Sequence, residues 1–180
     1  MFGWKPCIWL VLLITKNYPN DFDAADVRHF LFCRGVMALA ATRLIALHKN
    51  KGMTVAACLK NRTDYIENPD KTEQGQFVSS YACSTLTADE EFMLTKRQYD
   101  LVNGRRQKSD VIAYQIRQSF KPGEISAEEA NKVGYELAMR FTKGKYAFVV
   151  ATHTDRQHIH NHVICAPIRG RVNPLSKRQA

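Results

Sequence analysis

The chain has 180 residues, five cysteines and a formal charge of +9, with a pI near 9.4. That length suits one domain with a workable core, and five cysteines with no C-x-x-C pair exclude a disulfide framework or a zinc ribbon and fit a reducing cytoplasm. The apolar run Ile8 to Ile14 falls far short of the roughly 20 residues a membrane span needs, so no membrane insertion is expected, and the charge points to a polyanion, nucleic acid before membrane.

Residues 1–36 look unlike the rest and read as an extension upstream of the domain, with Met37 at the head of the first credible strand segment. Without them the chain keeps 22 basic and 14 acidic residues and a charge of +8, so the polyanion argument survives. Thr42 to His48 reads as a strand and Thr54 to Asp64 as a helix with apolar positions at Ala56, Ala57 and Leu59. Phe77 to Cys83 is the next strand. Thr87-Ala-Asp-Glu90 is a capping box opening a helix to about Asn103, where Gly104 stops it. Asp110 to Phe120 is a long strand ended by Lys121-Pro122-Gly123, and Ser126-Ala-Glu-Glu129 is a second capping box for a helix that Gly144 ends. Lys145 to His153 and His158 to Pro167 form a closing strand pair. The series predicts an α+β fold, a mostly antiparallel central sheet with helices packed on one face. Residues 168–180 form a basic tail poor in apolar residues.

The closing pair carries the chemistry. His153-Thr-Asp155-Arg-Gln-His158-Ile-His160-Asn-His162 holds four of the six histidines in ten residues. On a strand, residues i, i+2 and i+4 share a face, so His158, His160 and His162 would point together. Isolated histidines are usually solvated or hydrogen-bonded core residues, but adjacent imidazoles on a buried face repel when charged and leave ring nitrogens unpaired when neutral. A divalent metal removes both penalties. Because Thr154 to Gln157 is a short polar loop, His153 closes one strand and His158 opens the next. The expected ligands are His153, His160 and His162, with His158 beside them as an orienting group or a substitute. Three protein ligands leave open coordination positions, the mark of a catalytic rather than a structural metal. Asp155 could orient an imidazole or accept a proton.

A nucleophile is needed to choose among chemistries. Tyr65, at the end of the first helix and before a Pro-broken loop holding Lys71, can attack phosphorus if a metal polarises the phosphoryl oxygens and something takes the phenolic proton. The competing reading of one tyrosine among seven is an amphipathic packing residue. Lys71, Arg105, Arg106 and Lys108 are candidates for DNA contacts, with a solvated basic turn as the alternative for the last three.

Three segments together, Asp64-Tyr65-Ile66-Glu67-Asn68-Pro69-Asp70-Lys71-Thr72, Ser119-Phe120-Lys121-Pro122-Gly123-Glu124 and His153 to His162, resemble the three motifs of conjugative relaxases. These are the mobilisation nucleases of the HUH endonuclease superfamily, and the match is to their P-type class. The resemblance covers about Met37 to Ile164. It implies an HUH-nuclease palm of split βαβ, RRM-like type over residues 37–167, with the chain ending soon after the third motif. Tyr65 then matches the nucleophile that attacks the nic-site phosphate, leaving a 5′-phosphotyrosyl link and a free 3′-OH. Ser119 matches a serine that contacts DNA near the scissile phosphate. His160 and His162 match the family's paired histidines and His153 the third ligand. Asn161 stands where the superfamily pattern has a hydrophobic residue, and His158-Ile159-His160 fits the letters of that pattern better, so two registers stay open.

The resemblance implies magnesium or manganese, with zinc as the alternative. It also implies single-stranded or hairpin DNA at a transfer origin, together with relaxosome accessory proteins and a coupling protein. Two other classes of function remain in view, a non-catalytic nucleic-acid-binding domain with a structural metal or an inactive truncated relaxase, and a metal-dependent hydrolase of small molecules.

Overall fold

Five antiparallel strands make one sheet in the order Ala41–His48, Val111–Ser119, His160–Cys165, Phe148–His153, Val78–Tyr81, which puts the two histidine-bearing strands side by side near its middle. The computed structural model describes residues 31–33, 36–38, 40–103 and 111–166. In chain order the elements are β1 (Leu31–Cys33), β2 (Val36–Ala38), β3 (Ala41–His48), α1 (Val55–Ile66), β4 (Val78–Tyr81), α2 (Ala88–Asn103), β5 (Val111–Ser119), α3 (Ala127–Thr142), β6 (Phe148–His153) and β7 (His160–Cys165). β1 and β2 form a separate two-stranded ribbon in which Met37 faces Phe32 in register, so the main sheet starts at Ala41.

The α+β class and the antiparallel sheet match the sequence reading, but the helices do not share one face. Successive strand side chains point to opposite faces, and here both faces are apolar. Val150, Val163, Cys165 and Ile116 pack under α3 through Ala130, Val133 and Leu137. Val149, Ala151, Ile164 and Ala113 pack under α1 and α2 through Leu59, Ile66 and Phe92. The runs Phe148 to Ala151 and Val163 to Ala166 are therefore buried on both sides, which continuous rather than alternating hydrophobicity signals.

Local rules set the element ends. Thr54 caps α1, its Oγ1 accepting from Ala57 N–H at 3.1 Å. The Ser126 capping box on α3 is made as expected, with Glu129 reaching back to it. The box expected at Thr87 is not: Ser84 caps a short 3-10 turn before α2, and Glu91, not Glu90, accepts from Ser84 N–H and the Thr87 hydroxyl. Two left-handed residues end α3, Lys143 and the expected Gly144, whose N–H donates to the Met139 carbonyl at 3.1 Å. β4 is shorter than expected, and β6 begins at Phe148 rather than Lys145.

α3 lies close on β6 and β7 because Gly134 has no side chain. A Cβ there would stand 2.6 Å from Asn161 Nδ2 and 2.9 Å from Val150 Cγ1. Asn161 is fully buried on this face and has all its partners: its Nδ2 donates to Gln118 Oε1 at 3.0 Å and to the Ala130 carbonyl at 2.6 Å, and its Oδ1 accepts from the Thr152 hydroxyl at 2.8 Å. Asn131 extends this network, donating to Thr152 Oγ1 and to the Phe77 carbonyl. A buried polar network fixes strand register; here only Gln118 Nε2 among its side-chain amides is left without a partner, and the network lies directly behind the histidines.

Candidate active site

The register His153↔His160 and Ala151↔His162 places the end of β6 against the start of β7. With His160 and His162 two residues apart on β7, the three rings share the α1 face of the sheet. One nitrogen from each of His153, His160 and His162 lies within 4.8 Å of the others. His158 is outside that group. It lies in the loop before β7, its ring centroid 5.4 Å from that of His160 and its carbonyl accepting from His160 Nδ1 at 3.3 Å. Of the two registers open in the sequence, the geometry groups His160 with His162, and Asn161 points to the other face.

Each ring has one nitrogen engaged by the protein. His153 Nε2–H donates to the Ile66 carbonyl at 2.9 Å, His160 Nδ1–H to the His158 carbonyl, and His162 Nδ1 lies 2.6 Å from the side-chain amide of Gln115. Nδ1 of His153 and Nε2 of His160 and His162 are left over, and His162 Nε2 is buried with no partner at all. A buried nitrogen without a hydrogen bond is costly, and a cation among three such nitrogens removes that cost. Engagement of the opposite ring nitrogen is the usual way a ligating imidazole is oriented. The donor set thus fits a divalent metal with open positions.

The electrostatics agree. Burial first, then the neighbouring His153 and His160, push the His162 imidazole down to about 3. Burial likewise lowers His153 and His160. The rings are held neutral, each with one lone pair. Asp155, expected to orient an imidazole, is exposed in the loop and makes no hydrogen bond to one; it acts on His153 and His160 through its charge.

Tyr65 is the penultimate residue of α1. Its ring centroid lies 6.0 Å from those of His153 and of His162, and it is 52 % exposed. The packing reading of this tyrosine fails, since the core face of α1 is Cys58, Leu59, Thr63 and Ile66. The Asn68 to Gln76 loop folds back under buried Thr72, whose hydroxyl donates to the Asn68 carbonyl and accepts from Gly75 N–H. Thr154 N–H donates to the Lys71 carbonyl, tying this loop to the end of β6. The Lys71 ammonium consequently sits 3.9 Å from the Tyr65 ring centroid, a cation over the ring face. The Ile66 carbonyl joins His153 to the residue following Tyr65, so the helix end and the histidine cluster are positioned together.

Two recesses flank the cluster. One, of about 420 Å³, is lined by Tyr65, His162, Gln115, Arg117 and Arg62 among others; the second, of about 160 Å³, borders His160, His158, Ser119, Arg117 and Arg43. Ser119 therefore lies beside the cluster, paired in register with His160. Arg105, Arg106 and Lys108 lie outside the described residues. Sequence reasoning missed Gln115, Arg117 and Arg43. The signal was present for the first two: Gln115, Arg117 and Ser119 are polar at two-residue spacing on β5.

The fold and this site define a nuclease palm with a histidine cluster, and the sequence comparisons agree. The family "Relaxase: MobA/VirD2-like, nuclease domain" matches residues 65–175. The chain belongs to that family and is a relaxase nuclease domain. It is 34 % identical over 126 residues to the group II intron-interrupted relaxase LtrB of Lactococcus lactis subsp. cremoris, covering 59 % of this chain and 22 % of that protein. It is 39 % identical over 92 residues to a protein rlx of Staphylococcus aureus, covering 51 % of this chain and 27 % of that protein. The chain spans about a quarter of the length of these curated relatives. No helix among the described residues is long and apolar enough to cross a membrane.

Proposed function

We propose that this chain cuts one strand of DNA at a transfer origin and keeps the cut end on Tyr65. The observation that carries this reading is the placement of a half-exposed tyrosine at a helix end against His153 and His162, under the Lys71 ammonium. The phenolic oxygen forms a bond to phosphorus and the P–O3′ bond breaks. The phenolic proton passes to water or to Asp155 at the loop, and the departing oxygen leaves as a 3′-OH after taking a proton. The phosphodiester count is unchanged, so attack by a 3′-OH on the phosphotyrosine reseals the strand without a nucleotide cofactor.

His153, His160 and His162 would hold the metal, magnesium or manganese with zinc as the alternative, and it would neutralise the non-bridging oxygens as charge shifts in the transition state. Lys71 offsets negative charge developing on the phenol. Ser119 and His158 border the path of the strand beside His160, and the net positive charge favours a polyanion. The substrate is single-stranded or hairpin DNA, and accessory relaxosome proteins and a coupling protein are the proposed partners.

The test is strand cleavage of a labelled oligonucleotide carrying the transfer origin, with manganese, by wild type and Tyr65→Phe. The reading expects a nick with a free 3′-OH from wild type, none with chelator and none from Tyr65→Phe, with strand affinity of the variant within about twofold. Cleavage by Tyr65→Phe would refute it.

A further inference from the structure

We propose that Arg43 and Arg117 form a seat for a second phosphate, the one on the 5′ side of the scissile linkage, which retains the 3′-OH segment after cleavage. The inference rests on the cleavage reading above.

In the pairing of β3 with β5, Arg43 stands directly opposite Arg117. Side chains in such a pair are close, and like charges facing each other are destabilising. Both are exposed, and neither has an ion pair among the described residues, where every salt bridge belongs to other cations. The pair borders the 160 Å³ recess with Ser119, His158 and His160, and no carboxylate lines it. Two guanidinium groups, a hydroxyl and two imidazoles border this small open recess, and no anionic side chain lining it neutralises the guanidinium charge. A phosphodiester supplies the anion and relieves the repulsion.

The position relative to the cluster gives the polarity of the strand. Tyr65 lies against His153 and His162, whereas the recess borders His160, which pairs with Ser119 one step nearer the start of β7. In an in-line displacement the attacking and leaving oxygens lie on opposite sides of phosphorus. Arg117 is level with His162 and lines the Tyr65 recess as well, but Tyr65 does not border the recess that holds Arg43; with Tyr65 attacking, the 3′ oxygen departs toward that recess, and the nucleotide bearing it runs over Arg43 and Arg117. Held there, the 3′-OH stays within reach of the phosphotyrosine for resealing.

The experiment uses the Tyr65→Phe chain and a single strand selected by it from a random pool, with neutral methylphosphonate linkages placed one at a time. The wild-type chain with manganese maps the scissile linkage in the same strand. Arg43→Gln/Arg117→Gln, added to Tyr65→Phe, is expected to bind about tenfold more weakly, with its salt slope reduced by about 0.7 for the one phosphate lost. One linkage, 5′ of the scissile one, should be sensitive to neutralisation with the arginines present and insensitive without them. Melting of the double variant should be unchanged or higher, because a like-charge pair has been removed. Equal sensitivity of that linkage in both proteins, a sensitive linkage on the 3′ side, or no strand selected at all would each overturn the proposal. If the linkage-specific signal appears but the wild-type chain cuts nothing, the phosphate seat stands while the cleavage reading and the strand polarity fall.

Discussion

Gln115→Leu isolates one support of the histidine cluster while nearly preserving volume. Gln115 is buried on β5, and its amide lies 2.6 Å from His162 Nδ1. As placed, the amide nitrogen donates to Nδ1, which keeps the proton on Nε2; the two ends of an amide are alike in shape, and a half-turn offers Oε1 to Nδ1–H and frees the Nε2 lone pair for a cation. Leucine offers neither atom. His162 Nδ1 is then buried without a partner, a cost of about 1–3 kcal/mol, and the ring loses what selects its ligating tautomer. Loss of such a partner typically weakens metal binding about 10- to 100-fold. Calorimetric titration with manganese measures the affinity, and nitrogen NMR of the imidazoles in chelated protein reads the His162 tautomer directly. Gln115→Glu, which keeps an acceptor at Nδ1, should recover most of the affinity. Manganese affinity unchanged in Gln115→Leu, with a single His162 tautomer retained, would refute this role.

Ligand substitutions should separate the four histidines: His160→Ala or His162→Ala should abolish measurable manganese binding, whereas His158→Ala, whose ring is outside the cluster, should cost less than tenfold by the same titration. Gly134→Ala should lower stability by about 1–3 kcal/mol in urea unfolding, because its Cβ meets Asn161 and Val150 and either α3 or the strand carrying the histidines must move. Glu67 gives a pH signature away from the histidines. Burial, with Asp64 and Asp89 near, raises its carboxyl to about 7, so its contribution to stability is complete below the ordinary carboxylate range and is lost as pH rises through about 7. Glu67→Gln should therefore match wild type at pH 4 and exceed it at pH 8 by on the order of 1 kcal/mol, a figure reduced for the exposed part of the side chain; equal melting temperatures at pH 8 would contradict this.

Much of the site was legible because its signals are local. The two-residue spacing of His160 and His162 and the short Thr154 to Gln157 loop are enough to bring His153 across from them, and Thr54 and Ser126 mark helix starts by their own hydrogen bonds. What the sequence hid depends on which elements meet. The buried runs in β6 and β7 carry no face preference, so the division of helices between the two faces was invisible. Glu91 rather than Glu90 reaches Ser84 because a 3-10 turn precedes α2, a shift of one residue that a capping pattern does not encode. Gln115 and Arg117 gain meaning only when β7 lies beside β5, and Arg43 only when β3 pairs on its other side. Asn161 departs from an apolar expectation because its position faces α3, where Ala130, Gln118 and Thr152 satisfy it.

Covalent joining of Tyr65 to DNA at this cluster is tested by peptide mapping of the adduct. The chain is incubated with manganese and a single strand carrying the transfer origin, denatured, digested with nuclease and protease, and read by mass spectrometry. A nucleotide remnant linked through a 5′-phosphate to Tyr65 is expected, absent with chelator and absent in Tyr65→Phe. A remnant on another tyrosine or on a histidine, or an adduct that survives Tyr65→Phe, would contradict it.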